Sequence, residues 1–178
     1  MTQLEIAVQK LLPAVEKDPL VRVVTGPGGH TTSAAAIGRI EASPARVWKV
    51  LTEVDRYAER VPLIDKVKIR GDVVDFGLRF RVSFFSVGFS FETSLREIEG
   101  RRLTLSYRSG EPKDIVIDYL VEPIAEAPGS TALAVHIGFD VDSIGWLARY
   151  FLKHHPEIKH GVHAGCALAL FDSMRRAA

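Results

Sequence analysis

One cysteine, Cys166, stands in 178 residues. That excludes an intramolecular disulfide and a zinc site built on paired thiolates. A surplus of one charge sign is lacking as well: 23 Lys and Arg face 22 Asp and Glu, leaving a net charge of +1. The chain as a whole has no basic field to draw in nucleic acid or anionic lipid. No apolar run approaches the roughly 20 residues that span a bilayer. The opening residues, MTQLEIAVQKLLPAVEK, mix acids and bases along an amphipathic pattern. A basic segment followed by an apolar one is missing there, so no secretory leader is expected and the cytoplasm is the expected compartment. Internal repeats and low-complexity segments are missing too.

What is present is a mixture of helical and strand periodicities. Leu4, Val8, Leu11, Leu12 and Val15 recur at helical spacing, and Asp18-Pro19 ends that pattern. Val21, Val23 and Val24 suggest a short extended piece. Gly26-Pro27-Gly28-Gly29 reads as a loop, because no Lys-Ser/Thr follows to make it a phosphate cradle. Residues 1–33 are thus expected to be a helix-and-linker extension, and residues 34–178 the main domain.

Thr32 to Ala42 reads as the first strand of the core. Ser43-Pro44 opens a helix: a capping hydroxyl, then proline at the first helical position, where its missing N–H costs nothing. Val47, Trp48 and Leu51 share its apolar face, with Trp48 the expected anchor. Lys66 to Val74 suggests a strand. Leu78, Phe80, Val82 and Phe84 then form an even-numbered apolar face, and Phe89, Phe91, Thr93 and Leu95 an odd-numbered one. Two-faced strands of this kind belong to an antiparallel sheet covered on one side. Matching the like faces needs an odd pairing sum. A tight turn at Ser86-Val87 satisfies it and sets Arg81 opposite Glu92. Leu103, Leu105 and Tyr107 follow after a three-residue turn over 98–100, with Gly100 left-handed. Ile115, Ile117, Tyr119 and Val121 continue the inward phase, and so do Leu133, Val135, Ile137 and Phe139. After Asp142-Ser143 the pattern turns helical, and Pro156 begins a last helix. Ile158, Val162, Gly165, Cys166 and Ala169 share one mostly small face of that helix. The stretch over 164–171 is apolar nearly all round, which suggests burial on a second side.

The segment Ile40-Glu41-Ala42-Ser43-Pro44, then Val47-Trp48, Leu51, Asp55, Tyr57 and Pro62, resembles the START-like superfamily. This superfamily is also called SRPBCC or the helix-grip fold, and it includes the birch-pollen allergens. The branches that look nearest are the polyketide cyclase/dehydrase-like and coenzyme Q-binding ones. The resemblance implies an α+β fold, a curved antiparallel sheet wrapped around a long C-terminal helix, here with an extra N-terminal helix. It also implies a cavity between sheet and helix, with Tyr57 and Pro62 near its mouth.

The expected ligand is therefore an apolar small molecule: a lipid, quinone, sterol or polyketide. Its expected walls are Phe80, Val82, Phe84, Phe89, Phe91, Leu105, Tyr107, Ile117, Tyr119, Val135, Ile137 and Phe139, roofed by Val162, Cys166 and Ala169. The competing reading is that these residues fill a core, as packed interiors do, and that the domain is a protein-interaction module. An aromatase or cyclase is the third reading, because Tyr107 and Tyr119 could hold a carbonyl. No catalytic residue is assigned, and whether the chain is an enzyme stays open. His154, His155, His160 and His163 cluster in sequence, and His160 and His163 are three apart. No acidic partner completes a ligand set, so no metal and no cofactor are expected. The bland alternative is exposed histidines with one packed under the helix. His136 and Asp118 fall on the outward phase, where they are expected at the surface. The outer side of the last helix is the candidate surface for a homodimer.

Overall fold

The computed structural model describes residues 18–27, 29–82 and 85–178. The helix expected over Leu4 to Val15 and the side chain of Phe84 lie outside those residues. Eight strands form one antiparallel sheet: β1 (Leu20–Thr25), β2 (Thr31–Ile40), β3 (Ile64–Arg70), β4 (Val73–Val82), β5 (Phe85–Ile98), β6 (Arg102–Gly110), β7 (Val116–Pro123) and β8 (Thr131–Gly138). Their spatial order is β1-β2-β8-β7-β6-β5-β4-β3. Strands β3 to β8 are a meander, and β2 closes onto the last strand. Between β2 and β3 sit α1 (Pro44–Thr52), a 3-10 turn (Val54–Arg56) and α2 (Tyr57–Arg60). After β8 come a 3-10 turn (Val141–Ser143), α3 (Trp146–His154) and the long α4 (Pro156–Ala177). This is the α+β helix-grip arrangement that the sequence led one to expect, a curved sheet with α4 across it.

The start of α1 follows its sequence signals. The Ser43 side chain accepts a hydrogen bond from the Arg46 amide at 3.4 Å, and Pro44 is the first helical residue. Its end is closed from outside. The Arg60 guanidinium donates to the Val50 carbonyl at 3.0 Å and pairs with Glu53. That hydrogen bond is the main reason the Glu53 carboxyl is held below its ordinary range. The buried face of α1 is Val47, Val50 and Leu51. Trp48 is only half-buried at its edge, so Val50 takes the anchoring place expected of Trp48.

The hairpins depart from expectation by small steps. The stretch 66–74 is not one strand: it folds at Gly71-Asp72, where Arg70 pairs with Val73 and Gly71 has φ +64°. Glycine first in a two-residue turn suits the twist of the flanking strands. Strands β4 and β5 meet with the expected odd sum, but Val82 pairs with Phe85, so Ser86 and Val87 lie inside β5. Arg81 therefore faces Ser86, and Glu92 faces Asp75 and pairs with Arg70 at 2.6 Å. Parity fixes which face is buried, and several even-length turns satisfy it equally. The β5–β6 turn is Glu99-Gly100-Arg101, one residue later than expected, with Gly100 at φ +69°. The extended piece around Val21 to Val24 is β1, which adds an edge to the sheet inside the region assigned to the extension.

Helix α4 presents a different face from the expected one. Its buried residues are His163, Ala167, Leu170, Phe171, Ser173 and Met174. Ile158 is exposed, Gly165 is exposed, and Val162, Cys166 and Ala169 are half-buried on the flank. The small face is the one expected toward the sheet, as the roof of a cavity. The larger ones make contact instead, because the sheet supplies the small partners. Ala34, Ala36 and Gly38 of β2 line the strand under the helix, and α4 packs on β2, β8 and β1. A Cβ at Gly38 would lie 2.4 Å from the Phe171 ring.

Burial extends to the other side of this part of the sheet. Ala35, Ile37, Leu120, Ala132 and Ala134 are on the opposite face and buried. Near-continuous apolar strands behave this way. Asp118 is buried there too, contrary to the surface place expected for it. It accepts two hydrogen bonds from Arg102, at 2.8 and 2.6 Å, and one from Thr104 at 2.9 Å. His136, its cross-strand neighbour, is half-buried, and burial lowers its pKa.

Gly38→Ala is expected to destabilise the fold by about 1–3 kcal/mol through overpacking. Urea denaturation should show that loss, and Phe171→Leu in the same chain should return part of it. Strict additivity of the two substitutions would argue against the contact.

Candidate ligand-binding site

The inward face is continuous from β4 to β8. Phe76 stacks on Phe91 across the β4–β5 pair, with ring centroids 5.3 Å apart. Leu105, Ile117, Tyr119, Val135 and Ile137 follow on β6 to β8, and all are buried. Thr93 sits among them, its hydroxyl donating to the Val74 carbonyl at 3.4 Å. Phe89, Tyr107 and Phe139 share this phase but are half-buried, as are Leu78 and Leu95. Phe80 and Val82 belong to β4, but their side chains lie outside the described ones. Pro62 is exposed in the turn after α2, while Tyr57 is buried.

These residues divide into two zones. Beneath α4, on β2 and β8, contacts are close and the residues are fully covered. On β4, β5 and β6, away from α4's own packing partners, the half-buried set Leu78, Phe89, Leu95 and Tyr107 lies on the concave side. The sequence pattern gave the phase of Leu78 and Leu95, yet nothing in it marked them as less covered than Leu105. That depends on where α4 lands. The roof expected from Val162, Cys166 and Ala169 lies on the flank of α4. Burial pushes the Cys166 thiol up to about 11, so it stays a neutral, unreactive group.

Two phenols and an imidazole are also buried in this apolar setting. Tyr57 donates to the Leu51 carbonyl at 2.8 Å, and its ring meets Tyr119 edge-on at 6.3 Å. Burial raises both phenols, and the neighbouring Tyr119 raises Tyr57 further. Both remain protonated donors at any physiological pH. The Tyr119 hydroxyl has no hydrogen-bond partner of good geometry among the described residues. His163 is fully buried on α4, under Phe139, with ring centroids 4.4 Å apart. This is the one packed histidine of the bland reading. Its Nε2 lies 3.0 Å from the Phe139 carbonyl, which can only accept, so Nε2 carries the proton. Burial holds its pKa below the ordinary value, against the pull of that carbonyl. The neutral ring therefore leaves Nδ1 as a bare acceptor, and Nδ1 is buried without a partner among the described residues.

A cleft of about 530 Å³ opens at the end of the sheet. Its apolar floor is Val116, Phe139 and Val141, and His30, Asp114, His136, Asp140 and Lys159 stand around it. Lys159 pairs with Asp142, and the Asp140 carboxylate accepts from the Asp142 amide. No group of three or more His, Cys, Asp or Glu among the described residues could hold a metal ion.

A family model described as polyketide cyclase/dehydrase and lipid transport matches residues 40–176. The chain belongs to that family. No curated protein matches the chain. Among solved structures, a START superfamily protein from Mycobacterium smegmatis is similar, at 15% identity and TM-score 0.54. That likeness covers 78% of this chain and 94% of the other. The Zhui aromatase/cyclase from Streptomyces sp. R1128 is similar at 17% identity and TM-score 0.51, over 89% of this chain and 97% of that one. The XoxI protein from Bacillus cereus is similar at 15% identity and TM-score 0.58, over 82% and 94%. At these identities the neighbours establish the fold, START-like, and leave the chemistry to the chain's own residues.

The buried phenols and histidine make stability pH-dependent at both ends. Unfolded tyrosines ionise near pH 10, while the folded chain keeps Tyr57 and Tyr119 protonated. The folded state holds more protons above that point, so stability should fall as pH rises beyond about 10. Tyr119→Phe should weaken that fall in denaturation curves taken from pH 8 to 11. At the acid end, His163 and His136 resist protonation in the fold. Stability should therefore decline as pH drops through about 6.5, where the unfolded histidines bind protons. A histidine NMR titration placing His163 at or above that value would contradict the assignment.

Proposed function

We propose that the domain binds a hydrophobic small molecule, a lipid, quinone, sterol or polyketide-like compound, against the concave face of the sheet. The carrying observation is the unequal cover of that face. Helix α4 seals the β2–β8 side, and half-buried Leu78, Phe89, Leu95 and Tyr107 remain on the β4–β6 side. A ligand there would contact these residues first, with Phe91, Leu105, Ile117, Tyr119, Val135 and Ile137 behind them. Phe139 and the α4 flank at Val162, Cys166 and Ala169 would bound it on the far side. Burying about 300 Å² of ligand apolar surface would gain roughly 7 kcal/mol before association costs. The family's description, which includes lipid transport, supports this reading.

A cyclase-type activity is the second reading, favoured by one observation. Tyr119 supplies a buried neutral phenol beside Tyr57, and His163 Nδ1 a buried neutral acceptor with no hydrogen-bond partner among the described residues. A donor for a carbonyl and an acceptor for a hydroxyl or acidic C–H are the groups that enol chemistry uses.

Native mass spectrometry of protein purified from its own host is expected to show a bound apolar molecule, identifiable after extraction. Leu95→Lys should remove that mass while leaving the far-ultraviolet circular dichroism unchanged. An unliganded mass, with no thermal shift against a panel of lipids and quinones, would sink the binding reading and leave a filled-core interaction module. A ligand retained at full occupancy in Leu95→Lys would move the site off the β4–β6 side.

A further inference from the structure

Helix α3 breaks the pattern of the rest of the surface. Trp146 is 75% exposed and Tyr150 is 56% exposed. Large exposed aromatics grouped on one face mark an interaction surface, where single scattered ones do not. With Arg149 and Lys153, both exposed, they follow the spacing i, i+3, i+4, i+7 and so form one stripe along the helix. The opposite face is anchored by buried Leu152. His154 continues the stripe and stacks on Tyr150, with ring centroids 4.4 Å apart. His155 and Ile158 are exposed just beyond it.

The charge is as one-sided as the aromatics. From Ile144 to Pro156 the sequence is IGWLARYFLKHHP, with two bases, two histidines and no acid. Two nearby acids are already engaged: Asp142 with Lys159, and Glu111 with the Gly145 amide at 3.0 Å. Net charge over the whole chain conceals this local excess. Exposed aromatics interleaved with bases on one helix face match a surface that is apolar below and negative above. A protein partner would more often meet an aromatic patch with a polar rim of both signs.

We propose that α3 docks the domain on an anionic lipid bilayer surface, with Trp146 and Tyr150 at the headgroup boundary and Arg149 and Lys153 on the lipid phosphates. The helix lies in the plane of the interface and does not span it. This goes beyond the ligand reading and needs no occupant on the concave face.

Flotation with vesicles of phosphatidylcholine, with and without 30 mol% phosphatidylglycerol, tests the proposal at low and at 0.5 M salt. Binding to the anionic vesicles at low salt, and its loss at high salt, is expected. The Arg149→Glu, Lys153→Glu double variant should lose at least about 25-fold in partitioning, near fivefold for each base. Trp146→Ser should weaken binding to the anionic vesicles at low salt, and its exposed position keeps folding intact. The second tryptophan is half-buried Trp48. A Trp48→Phe chain therefore reports Trp146 alone, and its emission should shift to the blue on anionic vesicles. Equal partitioning of wild type and both α3 variants would overturn the proposal. So would a blue shift that appears without vesicles as protein concentration rises, because it would give the stripe to a second copy of the chain. Both results are independent of whether an apolar molecule is found inside.

Discussion

The close approach of Phe171 to Gly38 sets the geometry that the rest of the molecule depends on. With no Cβ at residue 38 and methyl groups at Ala34 and Ala36, the middle of β2 offers a shallow bed. The bulk needed to fill the contact comes from the helix, in Leu170, Phe171 and Met174. A helix lies closest where the sheet is smallest, so α4 settles chiefly on β2, with β8 and β1 beside it, and not over the centre of the eight strands. The aromatic and branched residues of β4, β5 and β6 are too large to permit the same approach. They are left to pack on one another, as Phe76 does on Phe91. The unequal cover of the concave face follows from that division of sizes.

Polar groups are sorted by the same burial. Inside, Tyr57, Tyr119 and His163 are all held in their neutral forms, because an apolar setting penalises the charged ones. The charged pair that is buried, Asp118 with Arg102, lies on the opposite face and is fully hydrogen-bonded. A buried carboxylate without such partners would be strongly destabilising. Under the binding reading, the interior would offer hydrogen bonds without fixed charge, which suits neutral, sparsely oxygenated molecules better than fatty-acid anions.

Much of the fold was legible in the sequence. Ser43-Pro44 capped a helix because hydroxyl and proline have local reasons to stand there. Period-two alternation gave the inward phase of every strand from β4 to β8, and parity limited the hairpins. Local rules failed where the outcome depended on a partner. Turn position slipped by one to three residues, because several registers put the same face inward. Which face of α4 comes closest lay outside its own pattern, because the small residues of the strand, Ala34, Ala36 and Gly38, decide where the contact happens. His136 and Asp118 were expected at the surface because alternation assumes that one face is wet, and β2, β7 and β8 are covered on both. Which lining residues stay half-buried was beyond the pattern, since exposure is set by the docking of α4.

The two ends of α4 differ in how firmly they are held. Near its C-terminal end, α1 and α2 pack against it, and Arg60 and Tyr57 bind back onto α1 through Val50, Glu53 and Leu51. Those bonds tie α1 and α2 into one unit, so opening that end would strip packing from both helices at once. Near its N-terminal end, α3 packs mainly on α4 and on the Val141–Ser143 turn. Gly145 precedes α3 and His155-Pro156 follows it, and His155 makes no side-chain cap at the α3–α4 junction. Local opening takes place where the fewest buried contacts are lost. Under the binding reading, an apolar molecule would therefore pass by α3, the helix that carries the exposed aromatic and basic stripe. The element free to give way there is α3 itself, since α4 keeps Lys159 on Asp142 and His163 on the Phe139 carbonyl.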